Sequence, residues 1–160
     1  MSIDERSYKK ALGCFASGVA VMTTTDAAGR SVGVTVSAFT SLSLSPPLVL
    51  FCLDRRTSGI DAFRSGSFAV NILREDQREL SIRFASRRDD KFAGLECRTG
   101  VAGAPILPNC LAVLECSVES VSDGGDHEIF LGRVHHMEYQ TGGQPLLYFR
   151  GAYARIDSCL

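Results

Sequence analysis

A short polar segment, Arg55-Arg56-Thr57-Ser58, has residue types suited to binding an anion. It lies between an apolar run that predicts a strand and a segment that predicts a short helix. Backbone amides at a helix N-terminus, with hydroxyl and guanidinium groups beside them, suit a phosphate. A solvated charged turn explains the segment about equally well. A second basic segment, Arg83 to Arg88, precedes Asp89 and Asp90 and follows a predicted helix, where cations are common for structural reasons alone.

Two further segments carry groups that could orient a ligand. The segment from Gly33 to Ser41 leaves a predicted strand and becomes rich in hydroxyl groups, which suit an uncharged polar heterocycle. Turns made by serine and threonine at a strand end are the simpler interpretation. His127 follows Asp126 at a predicted hairpin corner, where a carboxylate can hold one tautomer of the imidazole. A lone hairpin histidine is more often a surface residue.

Sequence motifs of several common reaction classes are missing. The chain contains no G-x-G-x-x-G after a strand, no phosphate-binding P-loop, no G-x-S-x-G and no H-E-x-x-H. It has three histidines, and the adjacent His135 and His136 would point to opposite faces of a strand, which suits a metal chelate poorly. An enzyme with so few acids and bases would depend on a cofactor for difficult chemistry.

Length and charge narrow the class of protein. The 160 residues predict one domain, spanning 1–160, and 17 basic against 18 acidic residues give a net charge of −1. That balance argues against a strongly basic nucleic-acid-binding surface. The six cysteines form no C-x-x-C pair, which disfavours structural zinc and a disulfide framework. With no secretory leader and no long apolar run, the expected location is the cytoplasm.

Periodicity predicts a mainly β protein with a few helices. A capping-box spacing at Ser2 and Glu5 starts a helix with an apolar face, which ends at Gly18. Residues 18–36 read as a hairpin. The apolar runs Pro47 to Leu53 and Ser67 to Leu73 predict strands that are buried on both faces.

The rest of the chain follows the same pattern. A short helix with a hydroxyl cap is predicted near 57–64 and a longer one over 75–85. Residues 87–108 read as a long excursion with some helix near 89–94. Strands follow over 110–121, 127–139 and 146–155. Many short strands with inserted helices favour a β-barrel or sandwich over a Rossmann sheet.

Taken in order, several stretches resemble the short-chain flavin reductases. This FMN-binding split-barrel family provides the reductase components of two-component flavin-dependent monooxygenases. The matching stretches cover about residues 8 to 155 and read as follows: FASGVAVMTTTD, GVTVSAFTSLSLSPPLVLFCLDRRTS, FAVNILREDQRELSIRFAS, DKFAG, GGDHEIFLGRV and LLYFRGAY.

The resemblance implies a six-stranded Greek-key split barrel and a homodimer with flavin near the subunit interface. The implied activity is that of an NAD(P)H:flavin oxidoreductase, which reduces FMN or FAD with NADH or NADPH as cosubstrate. It would pass reduced flavin to a partner monooxygenase, without nucleic acid or membrane partners. A flavin-binding carrier or sensor without nicotinamide turnover is the alternative. A split-barrel oxidase acting on a pyridoxine phosphate is disfavoured because its phosphate motifs are not recognised.

The resemblance also assigns residues to roles, with no catalytic side chain and no metal ligand, since the hydride passes between cofactors. The implied flavin contacts are Thr35, Val36, Ser37, Ala38, Ser41, Cys52, Leu53, Arg56, Ser58, Ala69, Asn71, Arg83, Phe84 and Ala85. The implied nicotinamide contacts are His127, Tyr148, Arg150 and Gly151. Cys52 lies in an apolar strand with no evident base, so it is expected to act as a small apolar neighbour.

Overall fold

A seven-stranded antiparallel sheet forms the body of the structure, a computed structural model that describes residues 3–64 and 66–157. The strands, in chain order, are β1 (Ser17–Gly18), β2 (Ala20–Thr25), β3 (Ser31–Val36), β4 (Phe39–Leu44), β5 (Pro47–Asp54), β6 (Ser67–Ile72), β7 (Arg98–Thr99), β8 (Pro105–Ile106), β9 (Ala112–Gly124), β10 (His127–Tyr139), β11 (Leu147–Phe149) and β12 (Ala152–Ala154). The helices are α1 (Glu5–Leu12) and α2 (Arg78–Ala85), and 3-10 turns span Ile60–Phe63 and Glu75–Gln77. The predicted mainly β fold with a few helices is confirmed.

The strand order forces the main sheet to curl. It runs β3-β2-β6-β9-β10-β5-β4, so strands that follow each other in sequence, β3 and β4, occupy opposite edges. The link between them is Ser37 and Ala38 alone, and three Cα steps reach about 11 Å at most. At this end the two edges therefore come close together, as in a split barrel. Smaller sheets, β1-β11-β12 and β7-β8, pack beside it.

The seventh strand, β4, is a correction to the expected six. The segment up to Ser41 reads as a hydroxyl-rich loop, yet the chain from Phe39 pairs with β5, from Phe39↔Phe51 to Leu44↔Pro47. A register shift between Ser41 and Ser43 interrupts the pairing. Pairing with a buried neighbour, rather than its own composition, makes this segment a strand.

Two apolar clusters lie on the two faces of the sheet. One is built around stacked rings of Phe51 and Phe130, whose centroids are 4.9 Å apart, and the other around Phe84 under α2. Alternate residues of β6 enter the two clusters, which confirms its predicted burial on both faces. The same prediction for β5 is wrong: its burial alternates, because the face carrying Leu50 and Cys52 is only half covered.

The first helix is shorter than predicted. Asp4 caps α1, its carboxylate accepting a hydrogen bond from the Ser7 amide at 2.8 Å. The predicted capping residue Ser2 lies outside the described residues. The helix ends at Gly13 rather than Gly18, because the chain then turns into β1. No residue of α1 is buried, so its apolar face finds no cover within the described chain.

The other predicted helices were partly right. The short helix predicted near 57–64 is a 3-10 turn over Ile60–Phe63. Its N-cap is Gly59, which lies in the left-handed region at φ 79°, and the expected hydroxyl cap does not form. The helix over 75–85 is confirmed, with its first turn of 3-10 type. The prediction of a helix near 89–94 is wrong. The segment is a series of turns, because Phe92 packs against Phe84 and Gly94 adopts φ 71°.

The β9–β10 hairpin matches the predicted strands, and it extends to Gly124 and His127 at its turn. A bulge between Val134 and His136 leaves His135 without a cross-strand partner. Its imidazole Nε2 lies 2.7 Å from the Ser117 hydroxyl. The expectation that His135 and His136 point to opposite faces depends on regular alternation along the strand. The bulge interrupts that alternation at this point. Within the described residues, neither helix is long and apolar enough to cross a membrane.

The close approach of β10 to the phenylalanine cluster yields a stability prediction. A Cβ at Gly132 would overlap the ring of Phe68, which is fully buried and packed on Phe51. Gly132→Ala should therefore lower the free energy of unfolding by about 1–3 kcal/mol. Gly18→Ala is the matched control, since its Cβ meets nothing within 4 Å. Urea unfolding measures both; equal stability of the two variants would contradict the packing argument.

Candidate functional site

A cleft of about 1030 Å³ opens between β3, the turn after β5, the end of α2 and the segment that follows it. Four of the residues assigned to cofactor binding line it: Arg56, Ser58, Phe84 and Ala85. Its walls combine cationic, hydroxyl and aromatic side chains. That mixture can hold a ligand with a planar ring and an anionic tail.

The close approach of the two sheet edges brings a second set of assigned residues together. Ser37 and Ala38 are exposed in the link between β3 and β4. The Cys52 amide donates to the Ala38 carbonyl at 3.0 Å, which ties the link to β5. Two assigned residues near the link, Val36 and Leu53, are buried. The Thr35 hydroxyl is engaged within the fold, since it donates to the Ser81 carbonyl at 2.7 Å. Ser41 is exposed at the bulge of β4.

Two assigned residues on β6, Ala69 and Asn71, are completely buried. The Asn71 amide group donates to the Val21 carbonyl at 3.0 Å and to the Thr23 hydroxyl at 2.9 Å. Its oxygen accepts from the Leu107 amide at 2.9 Å. Asn71 therefore joins β2 to the segment after β8, behind the site. A direct ligand contact for this pair stays a prediction.

The two adjacent arginines after β5 have different environments. Arg56 is exposed on the cleft wall, and its guanidinium pairs with Asp54 at 2.6 Å. The side-chain and backbone hydrogen bonds from Arg56 hold the pKa of Asp54 well below its usual range. Arg56 is thus held in place yet open to solvent, as a ligand-binding cation would be.

Arg55, unlike Arg56, binds both side chains and a backbone group of the protein itself. Its Nε donates to the Gly125 carbonyl at 2.9 Å, and its guanidinium pairs with Glu128 at 2.9 Å and with Asp123. The Glu128 side chain is 8% exposed and also pairs with Arg64 at 2.8 Å. Hydrogen bonding from Arg64, with the charges of Arg64 and Arg55, lowers the pKa of Glu128. The composition of the segment does not separate Arg55 from Arg56; the family resemblance alone assigned a ligand contact to Arg56 and none to Arg55.

The arginines of the second basic segment differ in their surroundings: Arg83 makes contacts within the fold, whereas Arg87 and Arg88 are exposed and line the cleft. Arg83 donates to the backbone carbonyls of Asp90, at 3.3 Å, and Ala93. It thereby fixes the turns that follow α2. Sequence reasoning missed Lys91 in those turns, which lines the cleft and donates to the Gly33 and Phe84 carbonyls. Its place in the DKFAG stretch was the available signal.

His127 lies at the hairpin corner as predicted, with a carboxylate beside it. Its Nδ1 is 2.6 Å from the Asp126 carboxylate, and this contact lowers the pKa of Asp126. His127 also faces Asp54 across the β5–β10 ladder, next to the Arg56 turn. The side chain is 42% exposed, so the imidazole is oriented but accessible.

The remaining assigned residues lie on β11, which carries Tyr148, and in the turn between β11 and β12, which is Arg150 and Gly151. Arg150 and Gly151 both have positive φ, at 50° and 81°, and the Arg150 amide donates to the Gly13 carbonyl at 2.8 Å. This contact brackets a hollow of about 870 Å³ between the turn and α1. The Tyr148 ring packs edge-on against Tyr153 at 5.5 Å, and the Tyr153 hydroxyl is 2.9 Å from that of Ser81.

Among residues 3–64 and 66–157, no group of His, Cys, Asp and Glu could hold a metal ion. The five cysteines in these ranges are free thiols, and Cys159 lies outside them. Burial raises the pKa of Cys110 and Cys116 to about 12, and it also raises that of Cys52. A raised pKa keeps Cys52 in the thiol form, which suits a small apolar neighbour rather than a nucleophile.

Comparison with known proteins identifies what the chain is similar to. The family model described as flavin reductase like domain matches residues 12–157. A relative from Rhodococcus jostii (strain RHA1), the flavin-dependent monooxygenase reductase subunit HsaB, is 45% identical over 157 residues, covering 98% of this chain and 80% of that protein. The FMN reductase (NADH) SmoA of Agrobacterium fabrum (strain C58 / ATCC 33970) is 39% identical over 155 residues, covering 96% and 87%.

A solved structure agrees with the sequence relatives. The NADH:FAD oxidoreductase SgcE6 of Streptomyces globisporus C-1027, in complex with NAD and FAD fragments, superposes with a TM-score of 0.90. It is 32% identical, and the match covers 98% of this chain and 96% of that one. The likeness therefore extends over nearly the whole of both chains.

The contrast between the two arginines gives a prediction that needs no ligand. Arg55→Met removes one of two cations from the nearly buried Glu128 and should lower the free energy of unfolding by about 1–2 kcal/mol at neutral pH. Arg56→Met, the matched control, removes an exposed pair and should leave the free energy of unfolding nearly unchanged. Thermal and urea unfolding report both.

The same pair of variants has a pH dependence of known sign. Because the pKa of Glu128 is lowered in the fold, its contribution is present above the unfolded value of 4.5 and is lost as the pH falls through the folded value. The difference between wild type and Arg55→Met should therefore shrink below that pH. A difference that stays constant in acid would show that Glu128 is not the partner that matters.

Proposed function

The chain belongs to the family of flavin reductase like domains, and on that premise we propose that it is an NAD(P)H-dependent flavin oxidoreductase. It reduces FMN or FAD and supplies the reduced flavin to a partner monooxygenase. The family and the enzyme class expected from the sequence are confirmed by relatives that are themselves reductases. The carrier or sensor without turnover remains the alternative that the experiment below must exclude.

The observation that supports this function most directly is the cleft beside the link between the sheet edges. Its volume of about 1030 Å³ exceeds the usual range for small-ligand pockets, so a nucleotide fits. Apolar Val32 and Val34, with the half-buried Phe92, offer a surface for an isoalloxazine. Arg56 and Ser58 line the same cleft, and their guanidinium and hydroxyl groups would meet a ribityl phosphate.

The residues assigned by the resemblance remain our proposal for the flavin site. The exposed Ser37 and Ala38 would donate and accept hydrogen bonds at the ring edge, and Arg56 would meet the phosphate. The buried Ala69 and Asn71 would act by holding β6 and β2 in place rather than by contact. Arg83 would act in the same indirect way, through the turns that it fixes.

The chain's own residues need only bind, orient and exclude water. A bound flavin supplies the hydride acceptor, so no protein nucleophile or acid–base pair is required. Donors at Ser37 and at nearby backbone amides would stabilise negative charge on the reduced ring. His127, Tyr148, Arg150 and Gly151 would hold the nicotinamide in line with the flavin.

Cofactor choice and assembly are also part of the proposal. One relative is an FMN reductase (NADH) and a structural neighbour is an NADH:FAD oxidoreductase, so both flavins and NADH are the first candidates. A homodimer would cover the apolar face of α1, where Tyr8 and Leu12 are more than half exposed. The cytoplasmic location and the single domain over 1–160 stay predictions.

The proposal is tested by following the oxidation of NADH and NADPH spectroscopically, with and without added FMN or FAD. We expect oxidation that depends on added flavin, with NADH preferred. Flavin binding without oxidation would favour the carrier. Neither binding nor oxidation would mean that only the fold, and not the activity, is shared with the relatives.

His127 gives a sharper prediction about the nicotinamide site. Removing an oriented, accessible imidazole should weaken a binding contact, so His127→Ala should raise the KM for NADH by about tenfold with a smaller change in kcat. His136→Ala, on the same strand but exposed far from the corner, is the control. The assignment fails if KM is unaltered, or if the Kd for flavin changes instead.

A further inference from the structure

Ser81 is a buried polar residue to which the proposed function gives no role. It lies in α2, and its side chain is completely buried. Among the described residues, its hydroxyl has one hydrogen-bonding partner, the Tyr153 hydroxyl of β12 at 2.9 Å. A serine hydroxyl inside a helix often bonds to the carbonyl four residues earlier, whereas this one reaches another element. The Ser81 side chain therefore ties α2 to β12.

The backbone of the same residue ties α2 to β3. The Thr35 hydroxyl donates to the Ser81 carbonyl at 2.7 Å. Thr35 lies two residues before Ser37, in the strand that leads into the exposed link between the sheet edges. One residue of α2 thus contacts β3 through its carbonyl and β12 through its hydroxyl.

Tyr153 extends this connection from α2 to β11. Its cross-strand partner is Tyr148, and the two rings meet edge-on with their centroids 5.5 Å apart. The Arg78 guanidinium of α2 lies 5.6 Å from the centre of the Tyr153 ring, within the range of a cation–π contact. Tyr148 belongs to the proposed nicotinamide site and Thr35 to the proposed flavin site. Ser81 and Tyr153 therefore connect the two halves of the proposed site.

The small sheet that carries Tyr148 has its other attachments elsewhere. Just before β11, the Val19 amide donates to the Leu146 carbonyl and the Leu146 amide to the Leu73 carbonyl, both at 3.0 Å. The turn after β11 is attached where the Arg150 amide donates to the Gly13 carbonyl. These bonds hold the start of β11 and its turn, whereas the bond to Ser81 sets the distance of β12 from α2.

We propose that Ser81 and Tyr153 form a positioning pair, which aligns the nicotinamide with the flavin for hydride transfer. This inference rests on the proposed function and adds to it two residues to which the resemblance gave no role. Neither residue needs to touch a reactant, because the pair acts through Thr35 and Tyr148. Alignment matters for the rate, since a displacement of about 1 Å can cost on the order of a hundredfold.

Tyr153→Phe removes the hydroxyl and keeps the ring that packs on Tyr148. We expect it to lower the rate constant for flavin reduction by about tenfold, measured by stopped-flow absorbance at saturating NADH and FMN without dioxygen. The Kd for FMN and the KM for NADH should change by about twofold or less, because the residues that bind the ligands are retained. The long-wavelength charge-transfer absorbance of stacked nicotinamide and flavin should weaken, which a loss of stability alone would not cause.

Ser81→Ala should reproduce the slower reduction. The double variant should be no slower than either single variant, because both substitutions remove the same hydrogen bond. Tyr139→Phe is the matched control, since it makes the same chemical change on β10 at a residue that is 72% exposed. Unfolding curves check that the variants are folded at the assay temperature. If Ser81→Ala does not fold, Tyr153→Phe decides alone, because Tyr153 is only half-buried.

Three outcomes would overturn the inference. An unaltered rate constant in folded Tyr153→Phe would make the pair purely structural. A raised Kd for FMN with an unaltered rate constant would make it a determinant of flavin binding alone. Additive losses in the double variant would show that the two residues act separately. Failure of the proposed function is distinguishable, because the wild type itself would then not oxidise NADH.

Discussion

The structure depends on a two-residue link. Strands β3 and β4 lie at opposite edges of a seven-stranded sheet, yet only Ser37 and Ala38 join them. A chain that short cannot cross a flat sheet of seven strands about 4.8 Å apart, so the sheet must curl until its edges meet. Backbone groups at the junction are left partly unpaired and exposed. The same constraint that shapes the barrel therefore leaves Ser37 and Ala38 exposed where the two edges meet.

Buried polar contacts, more than apolar packing, determine where the site residues lie. The Asn71 side chain hydrogen-bonds to β2 and to the segment after β8. Glu128 forms ion pairs with Arg55 and Arg64 near the end of the β9–β10 hairpin. Such networks accept few alternative arrangements, since each unmade bond to a buried polar group costs about 1–3 kcal/mol. They hold β6 and the turn after β5 rigidly, while the residues facing the cleft stay accessible. In the proposed site, positioning and binding are thus divided between adjacent residues such as Arg55, which is used in the fold, and Arg56, which is exposed in the cleft.

That division explains what the sequence could and could not predict. Hairpins and apolar strands follow from local periodicity and turn residues, so β2, β3, β6, β9 and β10 were found within a few residues. β4 was missed because its strand character comes from pairing with β5. No local pattern tells which of two neighbouring arginines turns inward, and none reveals that Lys91 reaches β3, 58 residues earlier in the chain. The family resemblance named four residues that line the cleft, and the three-dimensional contacts show which of their neighbours are used within the fold.

The charge distribution of the cleft bears on what a reductase of this kind must do. A protein that delivers reduced flavin to another enzyme has to hold its nucleotide firmly enough to position it and loosely enough to release it. Here Arg30, Arg56 and Arg88 are already neutralised by their own carboxylates, so an arriving phosphate must compete with Asp26, Asp54 and Asp90 for them. Exposed pairs of this kind exchange partners at little free-energy cost. Arginines paired in this way would make the hold on a phosphate readily reversible.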